Sequence, residues 1–264
     1  MLISSKDNAN VKFFNKLSQS KKARNEYGLF PLEGYRLILD AIKENVELHC
    51  VFISENAIVK YSEALDLLER NGFSDKVYFI TEEVEKKLSD TVNPQGIYAV
   101  CKKLDKILSA DTILSNGKYI ILHELQDPGN LGTIIRTADA VGIDGIFLTG
   151  NSCDIYNPKV VRSTMGSLFR MSMYCEEDIR NVLEIFKEKN IISYAAVIDN
   201  DACSLSECKF SNGSVVLIGN EGNGLPDEIS SLCDSRLTIK MNGNINSLNA
   251  AMATGIIMWE MFRQ

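Results

Sequence analysis

Three short stretches concentrate the residues able to do chemistry. The first is Leu125-Gln126-Asp127-Pro128-Gly129-Asn130-Leu131-Gly132. Asp127-Pro128-Gly129 turns the chain, and Asn130 is placed to cap a following helix. On that helix Leu131, Ile134, Ile135 and Ala138 make the buried stripe, so Thr133, Arg136, Thr137 and Ala140 share another face. Arg136 therefore points away from the core, where a lone arginine is most often a solvated surface group. The second stretch is Gly219-Asn220-Glu221-Gly222-Asn223-Gly224 after an apolar run. Its glycines admit close backbone approach, but a turn needs no carboxylate at Glu221. The spacing is neither a dinucleotide fingerprint nor a phosphate loop. The third is Ile239-Lys240-Met241-Asn242-Gly243-Asn244-Ile245-Asn246-Ser247-Leu248-Asn249. Ser247 is a candidate N-cap for the terminal helix, which leaves four asparagines, each an amide donor and acceptor, still to be explained.

The elements that must position these stretches alternate between strand and helix. Continuous apolar runs at 119–123, 145–149, 194–198 and 214–218, with a further strand at 236–240, read as strands covered on both faces. Helical spacing falls at 131–141, 158–166, 178–189, 225–232 and 248–262. Such alternation predicts an α/β fold with a mostly parallel sheet, whose ligands bind at the carboxyl ends of the strands. All three stretches follow predicted strands. Upstream, a polar basic helix over 10–24 precedes short strands at 29–34, 48–54, 77–81 and 97–101, with helices near 37–42 and 64–68. This reads as a separate small α/β domain over 1–104, a linker over 105–117, and a second domain over 118–264.

The chain has 264 residues, 45% hydrophobic and 24% charged, which is globular composition with enough length for a real core. No apolar run is long enough to span a membrane, and the start lacks the apolar segment of a signal peptide. Seven cysteines without a C-x-x-C pair are expected to be reduced thiols, and the expected compartment is the cytoplasm. The two histidines, His49 and His123, have no metal-ligand pattern around them, so no metal is expected. No G-x-S-x-G elbow supports a serine hydrolase. A net charge of −7 argues against a protein that coats nucleic acid. Residues 1–36, however, carry seven cations against three acids, which leaves −11 for the other 228 residues and marks a basic N-terminal surface.

Taken together, the three stretches resemble the SpoU family of the SPOUT superfamily of RNA ribose 2′-O-methyltransferases. The first motif matches at Asn130, Gly132 and Arg136, the second at Gly219, Glu221 and Gly224, and the third at Ser247, Leu248 and Asn249. Asn157-Pro158-Lys159 and Arg162-Ser163 are also similar to the family, and the likeness covers roughly 118–264. Leu32-Glu33-Gly34 and residues 94–100 resemble the substrate-binding domain often fused ahead of it. Lys240 stands where the family usually has proline, and Ala250-Ala251 replaces a common Val-Ser pair.

The resemblance implies a deep trefoil knot and an S-adenosyl-L-methionine site lined by Leu148, Thr149, Gly150, Gly219, Asn220, Ile239, Met241 and Leu248. It implies catalytic roles for Arg136, Asn130, Glu221, Ser247 and Asn249. Arg136 would clamp an RNA phosphate and stabilise the developing 2′-alkoxide, with Glu221 holding Arg136 or Asn130 in place. A homodimer is expected through the terminal helix, at Met252, Ile256, Trp259 and Met261. RNA phosphates are expected at Lys12, Lys16, Lys21, Lys22, Arg24 and Arg36. Large-subunit ribosomal RNA is the leading substrate, with transfer RNA as the rival. A non-catalytic RNA-binding factor with the same fold is the alternative from another class.

Overall fold

The computed structural model describes residues 1–210, 213–243 and 245–264. The chain divides into two compact units, 1–104 with 154–169, and 105–153 with 170–264.

The first unit is built on β1 (Leu2–Ile3), α1 (Ala9–Gln19), α2 (Lys21–Tyr27), β2 (Leu29–Glu33), α3 (Tyr35–Lys43), β3 (Leu48–Ser54), α4 (Glu55–Lys60), α5 (Ser62–Arg70), β4 (Val77–Ile80), α6 (Glu82–Leu88) and β5 (Ile97–Lys102). Its five strands run in the order β1-β4-β3-β5-β2, with β5 antiparallel to both neighbours. The Phe14 ring meets Phe52 and Tyr98 edge-on at 5.9 and 5.8 Å, which fills the space between α1 and the sheet. The basic segment is two helices rather than one. Ser20 takes an extended conformation (φ −126°, ψ 112°), ends α1, and accepts a hydrogen bond from Ala23 N to start α2.

Residues 154–169, expected in the C-terminal domain, belong to this first unit. Local chemistry holds them there. Tyr156 lies against Phe30 at 4.6 Å and its hydroxyl accepts from Leu104 N at 2.6 Å. Arg24 is 3% exposed, and its Nη2 and Nε reach Asp154 Oδ2 at 2.6 and 2.8 Å. Its Nη1 donates to the carbonyls of Leu17 and Ser18. Arg24 is thus a buried, fully bonded side chain and not the phosphate contact expected from its neighbours. Residues of the same segment form α8 (Pro158–Ser163), where Arg162 Nη2 pairs with Asp90 at 2.8 Å.

The second unit contains β6 (Lys118–His123), α7 (Pro128–Val141), β7 (Gly145–Thr149), β8 (Met173–Glu176), α9 (Ile179–Glu188), β9 (Ile192–Ala196), β10 (Cys203–Ser204), β11 (Ser214–Ile218), α10 (Asp227–Ser230), β12 (Ser235–Thr238) and α11 (Ala250–Arg263). The order is β10-β12-β9-β11-β6-β7-β8, and every described pairing is parallel. Val216 pairs with Ile120, and Ile120 with Ile146, in the centre of the sheet. β7 and β11 are buried along their whole length, as their unbroken apolar runs require. Phe147 stacks on Tyr174 at 4.5 Å and meets Phe186 of α9 at 5.2 Å, so one face of the sheet is sealed by aromatic contacts. α7 and α11 lie side by side, with Thr137 Cγ2 3.9 Å from where a Cβ on Gly255 would sit. The segment expected as a linker, 105–117, is part of this unit. Ile113 is buried, Lys106 N donates to Met173 O at 3.2 Å, and Leu114 N donates to the Tyr119 hydroxyl at 2.8 Å.

Candidate active site

Because the sheet is parallel, β6, β7, β11 and β12 all end on one edge. The turns that leave that edge include the three polar stretches. In the first, Asp127 is the N-cap of α7: its side chain accepts from Asn130 N at 2.7 Å, and Pro128 occupies the first helical turn, where its missing N–H costs nothing. The cap is therefore not Asn130, whose side chain is free to reach elsewhere.

It reaches across both other turns. Asn130 Nδ2 donates to Glu221 Oε1 at 3.1 Å, and Asn130 Oδ1 accepts from Asn249 Nδ2 at 2.9 Å. Glu221 also accepts from the backbone N–H groups of Gln126 at 3.1 Å and Asp127 at 2.9 Å. Asn249 closes the chain as the N-cap of α11, accepting from Ala251 N at 2.9 Å and Met252 N at 3.3 Å. The expected cap, Ser247, is exposed and makes no side-chain hydrogen bond among the described residues. Asn249 is the better cap because it lies directly before the first helical residue. A single chain of side-chain bonds, Glu221–Asn130–Asn249, thus ties three turns that are far apart in sequence. Burial raises the Glu221 pKa, but the Asp127 N–H, the Asn130 amide and the Gln126 N–H together outweigh it and hold the carboxyl below its usual range.

Arg136 is exposed on α7 and has no ion pair or hydrogen bond among the described residues. Of the two partners expected for Glu221, it is Asn130 that is held, and the guanidinium is left free.

The second turn is self-sufficient. Asn220 and Gly224 exchange backbone hydrogen bonds at 3.0 and 2.9 Å. Asn220 Oδ1 accepts from Gly222 N and Asn223 N, while its Nδ2 donates to Glu124 O at 2.9 Å. The Asn220 N–H is thus spent within the turn, and what it can still offer a ligand is the second lone pair of its carbonyl and the other Nδ2 hydrogen. A Cβ on Gly219 would lie 2.1 Å from Gly224 C, so it is the turn itself that demands glycine there.

At the end of β7, Leu148 and Thr149 are buried and Gly150 is exposed. His123 Nδ1 lies 2.9 Å from Thr149 Oγ1, and burial lowers the pKa of the imidazole. Thr149 O accepts from Glu124 N at 3.1 Å and from Ser152 Oγ at 2.8 Å. Gln126 Nε2 donates to Asn151 O at 2.5 Å. His123, Glu124 and Gln126 join this edge through these bonds, and the sequence reading gave none of them a role in the site. Glu124 sits at φ +55°, and a positive φ at a glutamate leaves no mark in residue type.

In the third stretch Ile239, Met241 and Leu248 are half-buried. From Lys240 to Leu248 no main-chain hydrogen bond is formed among the described residues. Asn244 lies outside the described residues. Part-exposed apolar side chains beside uncommitted backbone donors and acceptors fit an adenosine moiety, which needs an apolar slot and edge-on polar groups. These residues, with Leu148, Thr149, Gly150 and the backbones of Gly219 and Asn220, suit S-adenosyl-L-methionine.

Of the basic residues, Lys12, Lys16, Lys21, Lys22 and Arg36 are exposed, with Lys12 paired to Asp7 at 2.8 Å. On α11, Met252, Ile256 and Trp259 are exposed, but Met261 is buried within the unit, and Phe262 takes the exposed position instead.

Residues 117–259 match the model of the SpoU rRNA methylase family, and residues 8–99 match an MRM3-like substrate-binding domain. The chain is 32% identical to an uncharacterized tRNA/rRNA methyltransferase of Synechocystis, over 99% of this chain and 93% of that protein. It is 29% identical to the 23S rRNA (guanosine(2553)-2′-O)-methyltransferase RlmP of Bacillus subtilis, over 98% of both chains. The AdoMet-bound crystal structure of an rRNA methyltransferase from Sinorhizobium meliloti superposes with a TM-score of 0.88 at 28% identity, covering 100% of this chain and 97% of that one. A family match over more than half the chain, on the same turns that Glu221, Asn130 and Asn249 join, makes this protein a member of the SpoU rRNA methylase family.

Proposed function

We propose that this chain transfers a methyl group from S-adenosyl-L-methionine to a ribose 2′-hydroxyl of RNA, with large-subunit ribosomal RNA as the substrate. One observation carries the reading: the Glu221–Asn130–Asn249 chain gathers three turns at one sheet edge, and Arg136, on the same helix as Asn130, is exposed and unpaired among the described residues.

Bound S-adenosyl-L-methionine would supply an electrophilic methyl on a sulfonium. Leu148, Thr149, Gly150, Gly219, Asn220, Ile239, Met241 and Leu248 are the residues to hold it. Arg136 engages the RNA. A guanidinium has N–H donors in a planar fork and no acceptor, so Arg136 serves as a two-pronged donor to a phosphate and to the developing 2′-alkoxide, not as a base. Glu221 is a positioning residue. Three donors already occupy its oxygens and keep it ionised, so it has little tendency to take the hydroxyl proton. Asn130 and Asn249 fix the turns, and exposed Ser247 faces solvent, where it can meet ribose.

The same reading includes the family's trefoil knot in the second unit and a cytoplasmic site of action on ribosomal RNA. Two copies pair through α11. Met252, Ile256, Trp259 and Phe262 are 60, 41, 56 and 54% exposed, an apolar stripe of the kind that marks an interface.

The test is incubation of the purified chain with methyl-labelled S-adenosyl-L-methionine and ribosomal RNA, followed by nucleoside analysis. Label in a 2′-O-methylnucleoside is expected. Cofactor binding without transfer to ribosomal or transfer RNA would instead support a binding factor.

A further inference from the structure

Resting on the RNA reading above, we infer a second RNA contact in the first unit: a nucleobase-stacking surface formed by Phe13, Tyr27 and His49. Tyr27 ends α2 and is 44% exposed. Phe13 meets it edge-to-face at 5.0 Å, and His49 lies 6.1 Å from Phe13. His49 is the one exposed residue of β3, whose other six are buried. Phe13 is anchored on the core of the unit, and Tyr27 and His49 open from it to solvent as one aromatic edge.

Charge decides what that is. Lys16 donates to the Tyr27 hydroxyl at 3.1 Å and sits 4.8 Å from the ring centroid. An exposed ammonium, Lys16, set against these aromatic rings matches a single RNA strand, whose phosphates want the ammonium group and whose bases want the π-faces. Another pair in the unit, half-buried Tyr35 and Tyr61, stacks more closely at 4.3 Å, but Tyr35 donates to Glu63 at 2.8 Å. Residues 55–70 also carry Glu55, Glu63, Asp66 and Glu69 against only Lys60 and Arg70, so that pair repels a phosphate chain.

The surface adds affinity by stacking, so its signature is a loss that depends on bases. The full chain would be titrated with a fluorescein-labelled unstructured 12-nucleotide RNA and with the same strand made abasic. Tyr27→Leu keeps an apolar side chain but removes the ring. It should weaken binding to the base-containing strand by about 5- to 150-fold, the range for one base–aromatic stack. Tyr27→Trp should restore it, and both variants should bind the abasic strand like the parent. Lys16→Gln should lower the salt dependence by about one phosphate contact on either strand. Equal affinity of Tyr27→Leu and the parent for the base-containing strand would overturn the inference, and so would an equal loss on both strands. Methyl transfer by the parent separates the two levels. Activity on RNA with an indifferent Tyr27→Leu sinks only the stacking surface, while a parent that neither binds nor methylates RNA sinks the function as well.

Discussion

Glu221→Gln isolates the anchor from the chemistry, because it keeps size and removes only charge and one acceptor. Oε1 now takes Asp127 N–H at 2.9 Å and the Asn130 amide at 3.1 Å, while Oε2 takes Gln126 N–H at 3.1 Å. A glutamine can present oxygen to only one side, so an NH2 must face at least one N–H donor. A hydrogen bond to a charged group is worth ~1.5–3 kcal/mol when buried, and water reaches this carboxylate, so about 1–2 kcal/mol is the reasonable loss. That corresponds to about 5- to 30-fold in kcat/KM for methyl transfer, with a parallel rise in cofactor Kd measured by calorimetry. The pH dependence of stability should change too. The folded carboxyl titrates below its unfolded value, so the ionised form adds stability above the unfolded pKa, and this is lost as pH falls through the folded pKa. Thermal melts between pH 3 and about 6 should therefore slope less steeply on the acid side for the variant. Parent-like kcat/KM and Kd would refute the anchor. A fall beyond about a thousandfold in kcat, with loss of the acidic limb of the rate profile, would instead make Glu221 the proton acceptor.

Arg136→Lys retains charge but not the planar fork; kcat/KM should fall by ~10²- to 10³-fold with cofactor Kd little changed, and near-normal transfer would reject the clamp. Arg24→Met should lower unfolding free energy in denaturant titration by about 3–5 kcal/mol, because it removes a buried ion pair to Asp154 together with the guanidinium's bonds to the Leu17 and Ser18 carbonyls. Lys12→Ala, which removes a solvent-exposed pair, should change it by less than about 1 kcal/mol. Trp259→Glu places a charge in the exposed stripe of α11; light scattering should give a dimer for the parent and a monomer for the variant, and a monomeric parent or an unchanged mass would refute the proposed pairing through α11.

Local pattern was enough wherever the determining interaction is local. The apolar runs of β6, β7 and β11 declare buried parallel strands, because covered strands have no polar face to alternate with. The 3.6-residue period of α7 shows that Arg136 faces water. The three polar turns are legible because glycine, asparagine and proline have few other reasons to cluster after strands. Tertiary structure alone decided the rest. Arg24 looks like its lysine neighbours in a basic run, yet a carboxylate 130 residues away draws it into the interior. Residues 154–169 read as part of the second domain because chain order suggests it, but Tyr156 finds its partners at Phe30 and Leu104. Which asparagine caps and which one bridges depends on where three distant turns meet. Residue type and spacing name the groups that can bond; the partner they choose is set by the fold, since a side chain's nearest acceptor in space need not be near it in the chain.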